Sequence, residues 1–278
     1  MVLDRSEPGR MIPANNVKLF SYQIRNSNSN QNSKEMNIDS LKKNQSNNDA
    51  NTTSAPQLIL ASASPRRIEM FRKNGFDPLV MPSDQEERIP SFLTPAETVM
   101  FLALQKGLSV YRKLSDNVIR KDNDSNIDNN SDKTAGLSAT DLFSALIVSA
   151  DTIVVDYAAA SNSSRGLTNS RILGKPKNEN EAYEMLSSLS GRSHYVLTGV
   201  CLIAAGRAKC FYDSSEVFFK YIPDDELRAY VKTAEPYDKA GGYAIQETFG
   251  KYTDHIIGDL DNIIGFPFQR FLKETDLL

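Results

Sequence analysis

The chain has 278 residues, of which 40% are hydrophobic, and its 32 Lys and Arg against 35 Asp and Glu give a net charge of −3. These values are ordinary for a soluble globular protein and argue against a dedicated nucleic-acid binder, which needs bulk positive charge. Two cysteines exclude a disulfide scaffold and a cysteine-rich zinc module. No membrane-spanning apolar run and no signal-peptide pattern occur, which predicts a cytoplasmic protein.

Three polar tracts divide the chain. Residues 1–55 are dominated by Asn and Ser, a composition with too little apolar surface to fold, and we predict a disordered extension. Residues 56–278 are then predicted to form one compact domain. Two shorter tracts with the same bias, near 116–139 and 158–170, interrupt well-patterned sequence, so we expect surface insertions, the second a lengthened hairpin loop.

The first half of the domain is predicted as strand, helix, strand, helix and strand, with the second strand before Glu86. The run QLILA at 57–61 predicts a strand, and Ser64-Pro65 followed by Gly75 marks a helix start and stop. A second helix is predicted to open at Pro95. The apolar, β-branched run from Leu142 to Val155 predicts a buried strand or pair of strands.

The second half continues the alternation. A capping box at 178–181 and Gly191 delimit a helix, and His194–Ala205 with Cys210–Tyr221 predict a hairpin around residues 206–209. A helix is expected at Asp224–Thr233, and the tail IIGDLDNIIGFPFQRFLKE predicts a strand, a turn and a last helix. Alternating strands and helices indicate an α/β or mixed α+β fold.

The turn between the first strand and helix is the first candidate site. Ser62, Ser64, Arg66 and Arg67 lie within it, and a helix start with two hydroxyls and two guanidiniums suits a phosphate chain. The alternative is an ordinary Ser-Pro helix cap with solvated arginines.

Carboxylates supply the second candidate. Asp151, followed by Thr152, interrupts a run that otherwise favours burial, so it needs a cation, a metal or a cleft mouth. Glu86 and Glu87 follow the next predicted strand, and such oxygens suit Mg²⁺ bound together with phosphates. The alternatives are an Asp at a strand end and an acidic loop in solvent.

Two lysines and a glycine pair complete the candidates. Lys106 lies on the second helix, and Lys175 stands between Gly174 and a proline where the chain turns. After the pair at 241–242 we expect a short strand that ends at Gln246, whose amide offers both a donor and an acceptor to the edge of a base. Surface lysines and a plain turn remain alternatives, and neither a Walker loop nor a dinucleotide fingerprint occurs.

The motifs taken in order resemble one family. LILASASPRR, PAETVMFLALQK, SADTIVV, ILGKP, EPYDKAGGYAIQ and GDLDNIIGFP strongly resemble the Maf family of nucleoside triphosphate pyrophosphatases, over about residues 57–273. The resemblance implies a long twisted mixed sheet with helices on its faces and two lobes around a central cleft, related to the inosine triphosphate pyrophosphatases. It also implies hydrolysis of nucleotides to the monophosphate and pyrophosphate with a divalent cation, Mg²⁺ or else Mn²⁺ or Co²⁺.

Residue roles follow from the same resemblance. Asp151 matches the proton acceptor and a metal ligand, and Glu87 the metal-associated acid. Arg66, Thr152 and Gln246 match the positions linked to the branch that acts on dTTP and UTP. CTP and modified pyrimidine nucleotides are further candidate substrates. Phosphate contacts are implied for a polar set: Ser62, Ser64, Arg67, Lys106 and Lys175.

The mechanism that the resemblance implies is attack of water on the α-phosphorus, with cations neutralising the pyrophosphate. One alternative is a non-catalytic nucleotide-binding regulator of cell division, although retention of Asp151 and Glu87 argues against it. Another is a methyltransferase accessory protein, for which no cofactor-binding segment remains outside the matched region. Expected partners are a nucleoside triphosphate and a second copy in a homodimer, with neither a nucleic-acid polymer nor a membrane.

Overall fold

A computed structural model of the chain describes residues 20–23, 41–42, 57–84, 89–90, 92–123, 138–157 and 170–275. The strands are β1 (Phe20–Gln23), β2 (Leu58–Leu60), β3 (Leu79–Val80), β4 (Leu146–Asp156), β5 (Arg171–Leu173), β6 (Ser193–Ala204), β7 (Arg207–Phe219) and β8 (Thr253–Ile257). The helices are α1 (Pro65–Lys73), α2 (Pro95–Asn123), α3 (Ala139–Ser144), α4 (Glu179–Leu189), α5 (Asp224–Tyr230), α6 (Leu260–Ile264) and α7 (Phe268–Thr275). Three 3₁₀ segments follow α5: Glu235–Asp238, Ala240–Gly242 and Thr248–Tyr252.

One mixed sheet joins these strands in the order β1-β7-β6-β4-β2-β3, with β5 paired to β4 and β8 to β7. Strand β2 runs parallel to both β3 and β4, whereas β4 pairs antiparallel with β6 and β6 antiparallel with β7. The predicted mixed α/β fold is confirmed. No helix in the described part of the chain is long and apolar enough to cross a membrane.

The long central strands extend through two apolar regions. At one end, Val148 and Ala150 of β4 pack with α1 and α7, and Ile147, on the opposite face, packs with α2. At the other end, Val154 packs with α4, α5 and the 3₁₀ segments. Alternation of side chains along β4 explains why one strand serves both faces. This arrangement matches the predicted two lobes, and the middle of β4 lies between them.

The β6–β7 hairpin differs slightly from its prediction. Ala205 and Gly206, with φ of 49° and 71°, form a two-residue turn, so β7 already begins at Arg207. Positive φ at both positions matches the twist of the strands that such a turn connects. Cys201 lies directly opposite Cys210 across the hairpin, and both are buried and free, as expected of core residues.

The predicted strand at 142–155 is wrong at its start. Ser138 and Asp141 form a capping box, and α3 therefore continues through Ser144 before β4 begins at Leu146. The short strand expected before Gln246 is also wrong, because residues 240–242 form a 3₁₀ turn and Gln246 lies in a second turn. Helix α5 ends at Tyr230 rather than at Thr233.

Parts of the predicted extension and insertions are folded. Strand β1 pairs antiparallel with β7, and Leu41 is buried beside Phe71 and Phe76, so the disorder predicted for residues 1–55 does not hold at 20–23 and 41–42. Helix α2 includes residues 116–123 of the first predicted insertion. The remaining residues of the extension, residues 124–137 and residues 158–169 lie outside the described residues.

Candidate active site

A cavity of about 670 Å³ opens where β2 ends, between α1, α2, the middle of β4 and the segment 238–246. Each described residue that the sequence singled out as a site residue lines it: Ser62, Ser64, Arg66, Arg67, Lys106, Asp151, Thr152, Lys175 and Gln246. The predicted metal ligand Glu87, like Glu86, lies outside the described residues. Residues spread over 185 positions of sequence are therefore brought to one place by the fold.

Unequal strand lengths place Asp151 and Thr152 at this cavity. Strand β2 has three residues and β4 has eleven, and Leu60 at the end of β2 pairs with Val148. The backbone N–H of Ala61 makes a last bond to the Val148 carbonyl at 2.7 Å, after which the chain turns into α1. Strand β4 continues past that point, so Asp151 and Thr152 have no strand beside them on the β2 side within the described residues.

The first turn of α1 faces the same cavity. Pro65 occupies the first helical position, and Ser64 precedes it without forming a side-chain cap. The Ser64 N–H instead donates to Ser62 Oγ at 3.2 Å. The unsatisfied N–H groups and positive dipole end of a helix attract anions, so this turn favours a phosphate group.

The Arg67 guanidinium donates hydrogen bonds mainly to backbone carbonyls and hydroxyls of the protein. Its Nε donates to the Gly265 carbonyl at 2.8 Å, and its Nη1 donates to the Ala150 carbonyl at 2.9 Å and to Ser62 Oγ at 3.3 Å. Its Nη2 donates to Thr152 Oγ1 at 2.9 Å. One guanidinium therefore joins the β2–α1 turn, β4 and the end of α6, and its predicted contact with phosphate stays a prediction.

Thr152 belongs to a buried polar network. Its hydroxyl also lies 2.9 Å from the hydroxyl of Thr198 on β6, which donates to the Asn262 carbonyl at 2.9 Å. The Asn262 amide in turn donates to the Val196 carbonyl and to Ser215 Oγ, both at 2.9 Å. Because the two threonine hydroxyls and the Asn262 amide NH₂ are hydrogen-bonded in the interior, the network fixes the strand that carries Asp151.

Asp151 is paired with Lys106, which reaches it from the middle of α2. The two side chains are only 13% and 21% exposed, respectively. A carboxylate in a largely buried strand requires a cation partner, and the ammonium supplies one. The pair directs the carboxylate into the cavity next to the first turn of α1.

Positive charge dominates the cavity lining. Five cationic side chains and two carboxylates, Asp151 and Asp238, line it. Partial burial alone would raise the pKa of the Asp238 carboxyl, but the hydrogen bond and charge of Lys239 and the charge of Arg66 lower that pKa below its usual range. Both acids therefore have cations beside them, and the remaining positive charge suits a polyanionic ligand.

Sequence reasoning assigned no role to two of the residues at the cavity, Lys239 and Tyr243. Lys239 is 5% exposed and lies between Asp238 and the glycine pair. The Tyr243 hydroxyl lies 2.6 Å from His194 Nε2, and both side chains are buried. Burial raises the pKa of Tyr243, and burial, with the charge of Arg192 as a smaller cause, lowers the pKa of His194 to about 3. A lysine before a glycine pair was the available signal, but no local pattern predicted its burial.

The donors at the cavity include a carboxylate suited to the metal that the resemblance implies. Hard carboxylate oxygens are the ligands of Mg²⁺, which is usually held by one or two carboxylates together with substrate phosphates. Asp151 provides such a carboxylate, although the described residues contain no cluster of three or more metal-binding side chains. This donor set therefore fits a cation that is completed by substrate oxygens.

The fold and cavity define a mixed α/β protein with a cationic cleft for a phosphorylated ligand. The model of the family described as "Maf-like protein" matches residues 57–276. The chain therefore belongs to the Maf family. It is 38% identical over 218 residues to the dTTP/UTP pyrophosphatase of Bacillus cereus strain AH820, covering 78% of this chain and 93% of that protein.

Another bacterium provides a second relative. The dTTP/UTP pyrophosphatase of Desulfitobacterium hafniense strain Y51 is 37% identical over 223 residues, covering 80% of this chain and 84% of that protein. These matches confirm the predicted family and the predicted class of enzyme, a nucleoside triphosphate pyrophosphatase.

Proposed function

We propose that this chain hydrolyses dTTP and UTP to the nucleoside monophosphate and pyrophosphate. The observation that carries the proposal is the Lys106–Asp151 pair, set in a cavity that has an excess of cationic side chains and the first turn of α1 beside it. The names of its relatives support the same substrates. CTP and modified pyrimidine nucleotides are further candidates.

The substrate is proposed to bind with its phosphates toward α1. The helix start and Arg66 would take the phosphates nearest to them, and Lys106 and Lys175 would take others from the opposite walls. Gln246, which is exposed at the cavity, would form hydrogen bonds with the edge of the pyrimidine base. The hydrogen bond between Arg67 and Thr152 would hold α1 and β4 in fixed relative positions while the substrate is bound.

The reaction is proposed to be a single displacement at the α-phosphorus. Asp151 accepts a proton from water as the water oxygen bonds to phosphorus, and the bond from phosphorus to the bridging oxygen breaks. Pyrophosphate leaves, and the cationic side chains stabilise its negative charge. Lys106 orients the Asp151 carboxylate for this transfer.

Dependence on divalent cations is general in this family. We propose that Asp151 and Glu87 would hold the cation here, and that it would supply neutralisation of the charge on the phosphate oxygens. A homodimer and a cytoplasmic location stay predictions from the sequence.

The test is pyrophosphate release by the purified full-length chain with Mg²⁺ and a panel of dTTP, UTP, CTP, ATP, GTP and 7-methyl-GTP. We expect turnover of dTTP and UTP, reduced about 10²–10⁴-fold in Asp151→Asn because a proton acceptor is lost. Asp254→Asn, the same change at an exposed acid on β8, should leave the rate unchanged.

Three outcomes would contradict this proposal. Undiminished turnover in Asp151→Asn would remove Asp151 from the reaction. Activity confined to 7-methyl-GTP would keep the reaction but contradict the proposed substrates. Tight nucleotide binding without turnover in the wild-type chain would favour the non-catalytic regulator.

A further inference from the structure

The loop from Lys239 to Glu247 carries Gln246 across the cavity mouth. Its first half is held by close backbone contacts: the Gly241 N–H donates to the Gly174 carbonyl at 2.9 Å. A Cβ at Gly241, whose φ is 71°, would lie 2.8 Å from Val154 Cγ2, so the backbone there packs directly on β4. These contacts fix the glycine pair. Nearer to Gln246, the Glu247 N–H donates to the Ala244 carbonyl at 3.2 Å and closes a turn around Ile245 and Gln246.

A buried ammonium group makes a further link between the two ends of the loop. Lys239 Nζ donates to the Glu235 carbonyl at 2.7 Å and to Asp238 Oδ1 at 2.6 Å, and lies 3.0 Å from Glu247 Oε2. Its side chain is 6% exposed. A lysine ammonium has three N–H donors, and each of them has one of these partners.

The Lys239 ammonium joins the two ends of the loop that carries Gln246. Lys239 and Glu247 are the first and last residues of the loop, and Glu247 directly follows Gln246. The ion pair between them therefore closes the loop at its base. Because the Lys239 side chain is nearly buried, an ammonium displaced from these partners would lose hydrogen bonds inside the protein.

We propose that Lys239 is a positioning residue for nucleobase selection: it holds Glu247, and through it the neighbouring Gln246 amide, in the place where the pyrimidine edge is bound. Lys239 itself makes no contact with the base in this role. The inference rests on the proposed function, since it concerns how the same cavity distinguishes its substrates.

Selectivity is the readout that separates positioning from general stability. The quantity to measure is kcat/KM for UTP divided by kcat/KM for ATP, in wild type, Lys239→Met, Glu247→Gln and Gln246→Ala. We expect Gln246→Ala and Lys239→Met each to lower this ratio about tenfold, the discrimination of roughly one hydrogen bond. Glu247→Gln should lower it less, because it removes the charge but keeps a polar side chain.

A double variant tests whether Lys239 acts through Gln246, and a second lysine serves as the control. In the Gln246→Ala background, Lys239→Met should produce no further fall in the ratio, because both changes remove the same contact. Lys209 is a similarly enclosed lysine, 12% exposed and paired with Glu274 by contacts of 2.8 and 3.1 Å, and it does not line the cavity. Lys209→Met should leave the ratio at its wild-type value.

The outcomes distinguish this inference from the proposed function. If Gln246→Ala lowers the ratio and Lys239→Met does not, the positioning role is wrong and the proposed function stands. If the two effects simply multiply in the double variant, Lys239 acts independently of Gln246 and the inference is also overturned. If the wild-type chain hydrolyses no triphosphate, both fail. Should Lys239→Met not fold, Glu247→Gln, whose side chain is 36% exposed, decides by the same ratio.

Discussion

Arg67 donates from Nη2 to the hydroxyl of Thr152, 85 residues away in sequence, at 2.9 Å. The same guanidinium bonds the carbonyls of Ala150 and Gly265 on either side. It therefore fixes the position of β4 relative to α1 and to the end of α6. A residue first considered as a phosphate ligand thus has a structural role that can be measured without any substrate.

Replacing this guanidinium should lower stability sharply. Arg67→Lys keeps the charge but loses the planar set of donors, which leaves carbonyls short of partners, and we expect a loss of about 2–4 kcal/mol in the free energy of unfolding. Urea denaturation measures it. Arg66→Lys, the same change at the adjacent position, should cost less than about 0.5 kcal/mol, and equal losses in the two variants would contradict a special role for Arg67.

Helix α2 packs so closely against β6 that we expect a side chain at Gly199 to destabilise the fold. A Cβ at Gly199, the residue opposite Asp151 on β6, would lie 2.3 Å from the carbonyl oxygen of Val99. Gly199→Ala must therefore push α2 outward, together with Lys106. We expect a loss of more than about 3 kcal/mol in the free energy of unfolding, or failure to fold, because backbone atoms cannot yield as side chains do.

The control for that substitution is another glycine near the cavity. Nothing lies within 4 Å of a Cβ placed on Gly174. Thermal and urea denaturation of Gly174→Ala should give a stability within about 0.5 kcal/mol of wild type. A soluble Gly199→Ala of wild-type stability would show that α2 and β6 are not packed as described.

The buried His194 predicts how stability changes with pH. Its pKa is about 3 in the folded protein, below the ordinary value of 6.5, because burial and, less strongly, the charge of Arg192 disfavour the protonated ring. Between these two values the unfolded state binds more protons than the folded state. The free energy of unfolding should therefore rise with pH from about 3 to about 6.5 and be level above, by up to about 1.4 kcal/mol per pH unit from this group.

Comparison of two histidine variants isolates that contribution. Urea denaturation at several pH values between 4.5 and 7.5 should show a shallower slope in His194→Asn than in wild type. His255, on β8, is half exposed, and His255→Asn, measured in parallel, is the same substitution at a surface position. Parallel slopes for wild type and His194→Asn would mean that the pKa of His194 is the same in the folded and unfolded states, which would contradict the lowered value.

Leu41 tests the contribution of the polar extension to the fold. Its side chain is 7% exposed and packs with Phe71 and Phe76. Leu41→Ala should lower the free energy of unfolding by about 2 kcal/mol, through lost burial and the cavity left behind. Ile119→Ala, at a side chain that is 58% exposed, should change stability by less than about 0.5 kcal/mol. Unchanged stability in Leu41→Ala would show that the extension does not anchor the core.

Local rules explain what the sequence predicted correctly. The start of α1 at Pro65, the capping of α4 by Asn178 and the hairpin with facing Cys201 and Cys210 depend on residues within one or two turns of each other. The mixed α/β fold followed from the order of such segments, and the family from the resemblance of the motifs. Two predicted strands were wrong for local reasons. The capping box at Ser138 starts a helix where a strand was predicted, and the 3₁₀ turn at Gly241 precedes a second turn instead of a strand.

The sequence by itself determined the segments, the family and the residue types available for phosphate chemistry. The tertiary structure alone decided that Lys106 pairs with Asp151 across 45 residues, that Arg67 bonds Gly265 across 198, and that Lys239 is buried against Glu247. The physical reason is that such contacts depend on strand order, on register and on the unequal lengths of β2 and β4. None of these is encoded in the spacing of neighbouring residues.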